Sequence, residues 1–302
     1  MSSRLPPAVL AALTLVLIGC SGASPSGSPP GPSGAPTGTP STTTGELGRI
    51  EHPTGATDVI LRYEVGGGIM GPAFFAANAP IFTLYGDGTV IFRDPMQEPL
   101  PMVGNAMLQR PFRTAKLSEE QIQSTLAYAI VEGGLGTAQL EYWNDQIADA
   151  PTAKFTLNAG GLAKTVSVYA LGLDAPGMKD APQRAAFARL ADRLGTFGGN
   201  GAIPTQEFAP ERYRGILFGG QPADPGAKPW PWEDVKPSDF VVAAGPDGGQ
   251  PVHVLTIAQA EALGIEPYRG GIQGLTLAGP EGTFYAFSLR PLLPDEEASG
   301  ES

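Results

Sequence analysis

The sequence predicts an α+β fold, built of antiparallel sheets with a few helices. Three observations carry the prediction. Val59, Leu61, Tyr63 and Val65 alternate with Ile60, Arg62 and Glu64, the period of a half-buried strand. Pairs of apolar runs meet across glycine turns, as at Gly86-Asp87-Gly88 and Gly160-Gly161. Ser118 and Gln121, and again Thr256 and Gln259, have the spacing of a capping box.

Taken in order, Val59 to Val65 is the first strand. Ile81 to Tyr85 and Thr89 to Phe92 form a hairpin, because an Asp-Gly pair supplies the positive φ angles that a tight turn needs. A helix starts at Ser118, with Leu117 and Ile122 able to staple across the cap. Ile122, Leu126, Ala129 and Ile130 line its one apolar face, and Gly133-Gly134 stops it. Lys154 to Ala159 and Lys164 to Leu171 form a second hairpin. A second helix runs from Pro182 to Gly195 and buries Phe187, Leu190, Ala191 and Leu194.

Gly198-Gly199-Asn200-Gly201 reads as a joint. Beyond it the order partly recurs: a strand at Tyr213 to Phe218, a long loop, a strand at Phe240 to Ala243, and a short helix capped by Thr256 and stopped by Gly264. A hairpin closes the series, with Gln273 to Ala278 and Thr283 to Leu289 around Gly279-Pro280-Glu281-Gly282. This recurrence predicts two half-domains, 47–200 and 201–295, although one continuous sheet fits the same strings. The chain closes on an acidic run from Asp295 to Ser302, in which 296–302 reads as a frayed, solvated tail.

The segment ahead of the body has a different character. Arg4 is the one cation before an uncharged run from Ala8 to Ile18, which is too short for a hydrocarbon core of ~30 Å. That run ends at Leu17-Ile18-Gly19-Cys20, and Cys20 is the only cysteine in the chain. These residues resemble the lipobox of bacterial lipoprotein precursors. The resemblance implies that 1–19 is a signal peptide and that the Cys20 thiolate takes up diacylglycerol, with acyl chains such as palmitate as the anchor. Two or three acyl chains at ~0.8 kcal/mol per buried CH₂ hold a protein on a membrane, where one is marginal. Processing would use the one thiol, which removes disulfides, cysteine ligands and cysteine nucleophiles from the mature chain.

Every residue from Ser21 to Gly45 is Ser, Gly, Ala, Pro or Thr, so residues 20–46 read as a disordered tether with nothing to bury. As a coil it spans roughly 25 to 30 Å. The net charge of −11, without a basic stripe, argues against nucleic acid as a partner. Within the body, Gly66-Gly67-Gly68, Pro80-Ile81-Phe82-Thr83-Leu84-Tyr85-Gly86-Asp87-Gly88-Thr89-Val90, Ala148-Asp149-Ala150-Pro151-Thr152 and Arg290-Pro291-Leu292-Leu293-Pro294-Asp295 together resemble a group of uncharacterised exported bacterial lipoproteins. That resemblance implies an extracytoplasmic location and a shared fold, and no catalysis.

Candidate chemistry is sparse. Gly66-Gly67-Gly68-Ile69-Met70-Gly71 satisfies G-x-G-x-x-G after a strand, but Pro72 and Pro80 interrupt the helix a dinucleotide site needs, so no cofactor is expected. His52 and His253 are the two histidines, and without H-E-x-x-H no metal site is expected. There is no G-x-S-x-G elbow or S-x-x-K. Glu119 and Glu120 suit a helix first turn better than a glycosidase pair. Trp230 and Trp232, held by prolines, are the candidate binding platform for a sugar or a proline-rich peptide, against the reading that they plug the core.

Three functions follow from this reading. The first is a non-catalytic binding or interaction role at the cell envelope, with an envelope protein or glycan as partner. The second is an extracytoplasmic hydrolase using His253 or acids such as Asp145 and Asp149. The third is a structural envelope component.

Overall fold

The Asp87-Gly88 turn shows how local chemistry sets the architecture of the computed structural model, which describes residues 48–69, 78–94, 102–174, 177–199, 201–242, 250–266 and 268–298. Strands β1 (Val59–Gly67), β2 (Phe82–Tyr85) and β3 (Thr89–Phe92) form an antiparallel run. At the β2–β3 turn the Asp87 carboxylate accepts from the Thr89 N–H at 2.9 Å and from Lys116 Nζ at 2.6 Å. Gly88 has φ of 87°, and a Cβ there would lie 2.6 Å from the Leu117 carbonyl oxygen. Only glycine meets both demands.

Next come β4 (Met107–Leu108), β5 (Arg113–Lys116) and helix α1 (Glu119–Ile130). The expected capping box is formed: Gln121 Oε1 accepts from the Ser118 N–H at 2.8 Å, and Ser118 Oγ accepts from the Gln121 N–H at 3.4 Å. Strands β6 (Glu141–Tyr142), β7 (Pro151–Ala159) and β8 (Leu162–Tyr169) and helix α2 (Ala181–Gly195) follow. The first sheet has the order β6-β8-β7-β1-β2-β3-β5-β9, where β9 is Gln206–Glu207. Helices α1 and α2 cover one of its faces, where Leu61, Phe82, Leu84, Phe155, Ile122, Leu126, Phe187 and Leu190 make one cluster.

The second sheet is built from β10 (Arg212–Gln221), β11 (Lys228–Pro229), β12 (Val241–Val242), β13 (Pro251–Thr256), β14 (Ile272–Ala278) and β15 (Phe284–Pro291). Its order is β11-β14-β15-β10-β13-β12, with β4 also on β14. Helix α3 (Ile257–Glu261) has the expected Thr256–Gln259 capping box. Trp232, Phe240, Leu255, Leu263, Phe287 and Leu289 fill a separate core there. The fold is therefore α+β with two open, largely antiparallel sheets.

The 200/201 boundary expected from sequence is crossed in both directions. β9, beyond the joint, pairs with β5 of the first sheet, and β4, before it, pairs with β14 of the second. Residues Leu47–Ser302 form one compact unit. The predicted strand at Phe240 to Ala243 shortens to Val241–Val242, with Ala243 outside the described residues. Asn200 of the joint and residues 1–47, with the expected signal peptide, Cys20 and the expected tether, also lie outside them.

The acidic end of the chain is the largest correction. It was expected to be frayed and solvated, but Pro294–Ala298 forms helix α4, whose first two acids are tied into the protein. Asp295 Oδ1 accepts from Arg62 Nη2 and from the Tyr85 hydroxyl, each at 2.7 Å, and both partners are on the first sheet. Glu296 takes a two-pronged bond from Arg290 of the second sheet, at 2.6 and 2.8 Å, and accepts from the Leu293 N–H at 2.9 Å. Burial alone would raise the Glu296 pKa. The Arg290 charge and hydrogen bonds, the Leu293 N–H and the Arg214 charge override burial and hold it at about 2. Burial, then the nearby Arg290 charge, pulls Arg93 down to about 10, with its guanidinium 4.3 Å from the centre of the Phe112 ring. Ala79, Tyr85, Ile91, Phe112 and Leu293 pack as the apolar part of this junction.

Glu296 is more acidic folded, at about 2, than its ordinary value of 4.5. Its contribution, on the order of 3 kcal/mol, is therefore complete above about pH 4.5 and is lost as the pH falls toward 2. Glu296→Gln is expected to cost about 3 to 5 kcal/mol at pH 7, because it leaves the Arg290 charge buried beside a neutral group. Urea unfolding checks this: the gap between wild type and variant should close as the pH is lowered through that window. A gap that is small at pH 7, or unchanged in acid, contradicts it.

Candidate functional site

The aromatic pair singled out in the sequence is not a platform. Trp232 is 6% exposed, and Trp230 is half-buried against the core of the second sheet. Their rings meet at 84°, and Trp230 also packs edge-on against Phe240 and Tyr285. Both indole N–H groups are used internally, by the carbonyl oxygens of Val235 at 2.7 Å and Gln259 at 2.8 Å. The prolines fix a loop that packs both rings, at right angles to each other, against the core of the second sheet.

The remaining tryptophan does offer an open face. β6 lies at the edge of the first sheet, parallel to β8, with Tyr142 opposite Val168. Successive residues on a strand point to opposite sides. Tyr142 turns inward, edge-on to Phe187 at 4.9 Å, and Trp143 turns outward, 69% exposed. The indole lies flat on Tyr169, with centroids 4.1 Å apart and planes at 14°. Its inner face is covered and its outer face is open.

What lies behind this shelf is tied down at every step. The Tyr169 hydroxyl accepts from the Ala150 N–H at 3.0 Å and donates to the Ile147 carbonyl at 3.1 Å. Asn144 is buried; its Nδ2 donates to the Leu173 carbonyl at 3.2 Å and its Oδ1 accepts from the Gln146 N–H at 3.1 Å. Arg184 of α2, fully buried, donates to the carbonyls of Tyr169 at 2.7 Å and Ala170 at 3.1 Å. It is also paired with Asp174, and more distantly with Asp180 at 3.8 Å. Among the described residues, the non-glycine residues with left-handed backbone are Asp149 and Ala170, and both flank this shelf. Holding them there costs on the order of 1 to 3 kcal/mol each, which the surrounding bonds must offset.

Around the indole the chain is acidic. Glu141, Asp145 and Asp149 are exposed, as is Gln146, and no Lys or Arg occurs from residue 139 to 151. Asp145 and Asp149 are thus solvated rim groups rather than a buried acid pair. Gly67 and Gly68, at φ of 82° and 90°, bring the end of β1 against this loop, since a Cβ on Gly68 would sit 3.2 Å from the Asp149 carbonyl oxygen. Met70 and Gly71 of the glycine motif lie outside the described residues.

The other candidates have structural partners. His52 Nδ1 is 2.7 Å from the Pro53 carbonyl and Nε2 is 3.4 Å from Glu119 Oε1. Glu119 also receives Gln123 Nε2 at 2.9 Å and pairs with Arg49 at 2.8 Å. The Gln123 bond, aided by His52 and Arg49 against slight burial, holds the Glu119 carboxyl below its usual range. Ile50 exchanges two hydrogen bonds with the Gln123 side chain, and the Gly160 N–H donates to the Glu51 carbonyl at 2.7 Å. This clasp fixes residues 49–51 on α1 and the tip of the β7–β8 hairpin. Glu120 diverges from Glu119 into solvent. His253, on β13 of the second sheet, lies 5.5 Å from the Phe240 ring, and no serine or carboxylate bond to it is seen among the described residues. No group of three metal-ligating side chains forms among the described residues. A cleft of about 50 Å³ beside Val103, Asn105, Asp224 and Lys228 holds only a few waters.

No protein family matches this chain, and no curated protein or solved structure matches it.

The two environments predict opposite responses to truncation. Trp232→Ala is expected to cost about 3 to 5 kcal/mol through the cavity it leaves. Trp143→Ala should cost no more than about 1.5 kcal/mol, the worth of one aromatic stack. Paired denaturation curves decide it, and equal losses would mean that Trp143 is a core residue.

Proposed function

We propose that the protein is a lipid-anchored envelope protein that binds a partner without catalysing a reaction. The observation that carries this reading is Cys20, placed at the end of Leu17-Ile18-Gly19-Cys20 after an uncharged run and ahead of a tether of small residues and proline. Acylated there, the chain would be held outside the membrane by lipid. Among the described residues no helix is long and apolar enough to cross a membrane.

Two features of the body support the reading. The clasp of Ile50 and Glu51 onto Gln123 and Gly160 fixes the first described residues to the body. The pre-built surface around Trp143 is a ligand-sized aromatic face backed by hydrogen bonds, with the acids beside it solvated rather than arranged for proton transfer. The acidity of the chain keeps nucleic acid out of consideration as a partner.

Cys20→Ala is expected to abolish incorporation of labelled palmitate, slow removal of residues 1–19 and move the protein from the membrane to the soluble fraction. Normal lipid labelling of the variant would end the assignment. Crosslinking on intact cells, with the variant as control, identifies the partner; recovery of a fixed stoichiometric assembly would favour a structural component over a binder.

A further inference from the structure

We propose that the Trp143–Tyr169 shelf binds a neutral sugar ring of an envelope glycan, an inference that rests on the binding role proposed above. The shelf has the two elements such a ligand requires. The C–H face of a pyranose with equatorial hydroxyls is flat and apolar, and it fits the open face of an indole, whose π-cloud attracts the positively polarised hydrogens. The ring's edge carries hydroxyl and N-acetyl N–H donors. Glu141 on β6 and Asp145 and Asp149 in the loop after the indole are exposed carboxyl groups with acceptor oxygens, and Gln146 adds an amide.

The geometry favours a flat sugar face over a caged quaternary ammonium. Aromatic cages for quaternary ammonium groups enclose the charge between several ring faces. Here Tyr169 lies behind Trp143 at 14°, so it stiffens a single plane and forms no cage. An anionic sugar would meet three carboxylates with no cation in the segment. Pre-organisation is the third point. Tyr169 is bonded at its hydroxyl to both Ala150 and Ile147, and Arg184 holds the turn behind it, so little order remains to be gained on binding.

Placement is the fourth. The chain joins the body at residues 49–51, beside Gly160 at the tip of the β7–β8 hairpin. Thr152 and Tyr169 pair at that hairpin's open end. The seven residue steps from Thr152 to Ala159 separate the two sites by roughly 25 Å. The shelf thus lies at the opposite end of that hairpin from the clasp of residues 49–51.

The test uses the full-length protein in detergent, titrated separately with a chito-oligosaccharide, an oligogalacturonate of equal length and choline, and followed by tryptophan emission and saturation-transfer NMR. The chito-oligosaccharide should bind at millimolar concentration or below. Trp143→Ala should weaken it at least about tenfold while thermal unfolding stays near wild type, and Trp143→Phe should recover part of the affinity. Preference for choline or the uronate, undiminished binding by Trp143→Ala, or no binding to wild type would overturn the proposal. Failure here with intact Cys20 acylation would remove the sugar site alone, whereas sugar binding by a chain that is not acylated would remove the anchor alone.

Discussion

Asp295 and Glu296 stand next to each other on one short helix, and each is committed to a different sheet. Asp295 accepts from Arg62 and Tyr85 of the first sheet, and Glu296 from Arg290 of the second. Glu296 meets a crowded cation, because burial, and then the nearby Arg290 charge, lowers the Arg93 pKa. Burial, and then the Asp295 carboxylate, pushes the Tyr85 hydroxyl far above its ordinary pKa. An ion pair of this kind is costly to break even where its net contribution is modest, since the surviving charge has no water to return to. The last described helix thus adds a side-chain link between two sheets that have their own cores, beside the β5–β9 and β4–β14 pairings.

The parts of the fold that rest on local chemistry were legible in the sequence. The Asp87-Gly88 turn, the two capping boxes and the glycine hairpin at 160–161 each satisfy their own backbone within a few residues, so residue type alone announces them. The short strands β4, β5, β6, β9 and β11 were not legible, because two to four residues set no period and their pairing partners lie far along the chain. The same reason hid the junction. A run of acids at a chain end reads as solvated when its partners, Arg62 and Tyr85, stand more than 200 residues away.

The candidate site shows the same division. Pro229-Trp230-Pro231-Trp232 drew attention by composition, yet proline rigidity serves equally well to insert rings into a core, and here both indole N–H groups are satisfied by backbone carbonyls. Tyr142-Trp143 carried the better signal. In extended chain adjacent side chains point opposite ways, so of two neighbouring aromatics one faces outward unless a second layer covers it. What sequence could not supply was the backing: Tyr169 beneath the indole, and Arg184 bonded to two carbonyls of the turn beyond it.

The claim on which the architecture rests is that α4 couples the two sheets. Native-state hydrogen exchange measures that coupling directly, by comparing the amides of Leu84 on β2 and Leu289 on β15 in wild type and in an Asp295→Asn, Glu296→Gln double variant. In wild type both should open with one free energy. In the variant they should separate, one sheet exchanging while the other remains protected. Independent exchange in wild type, or exchange that stays coupled in the variant, would contradict the account.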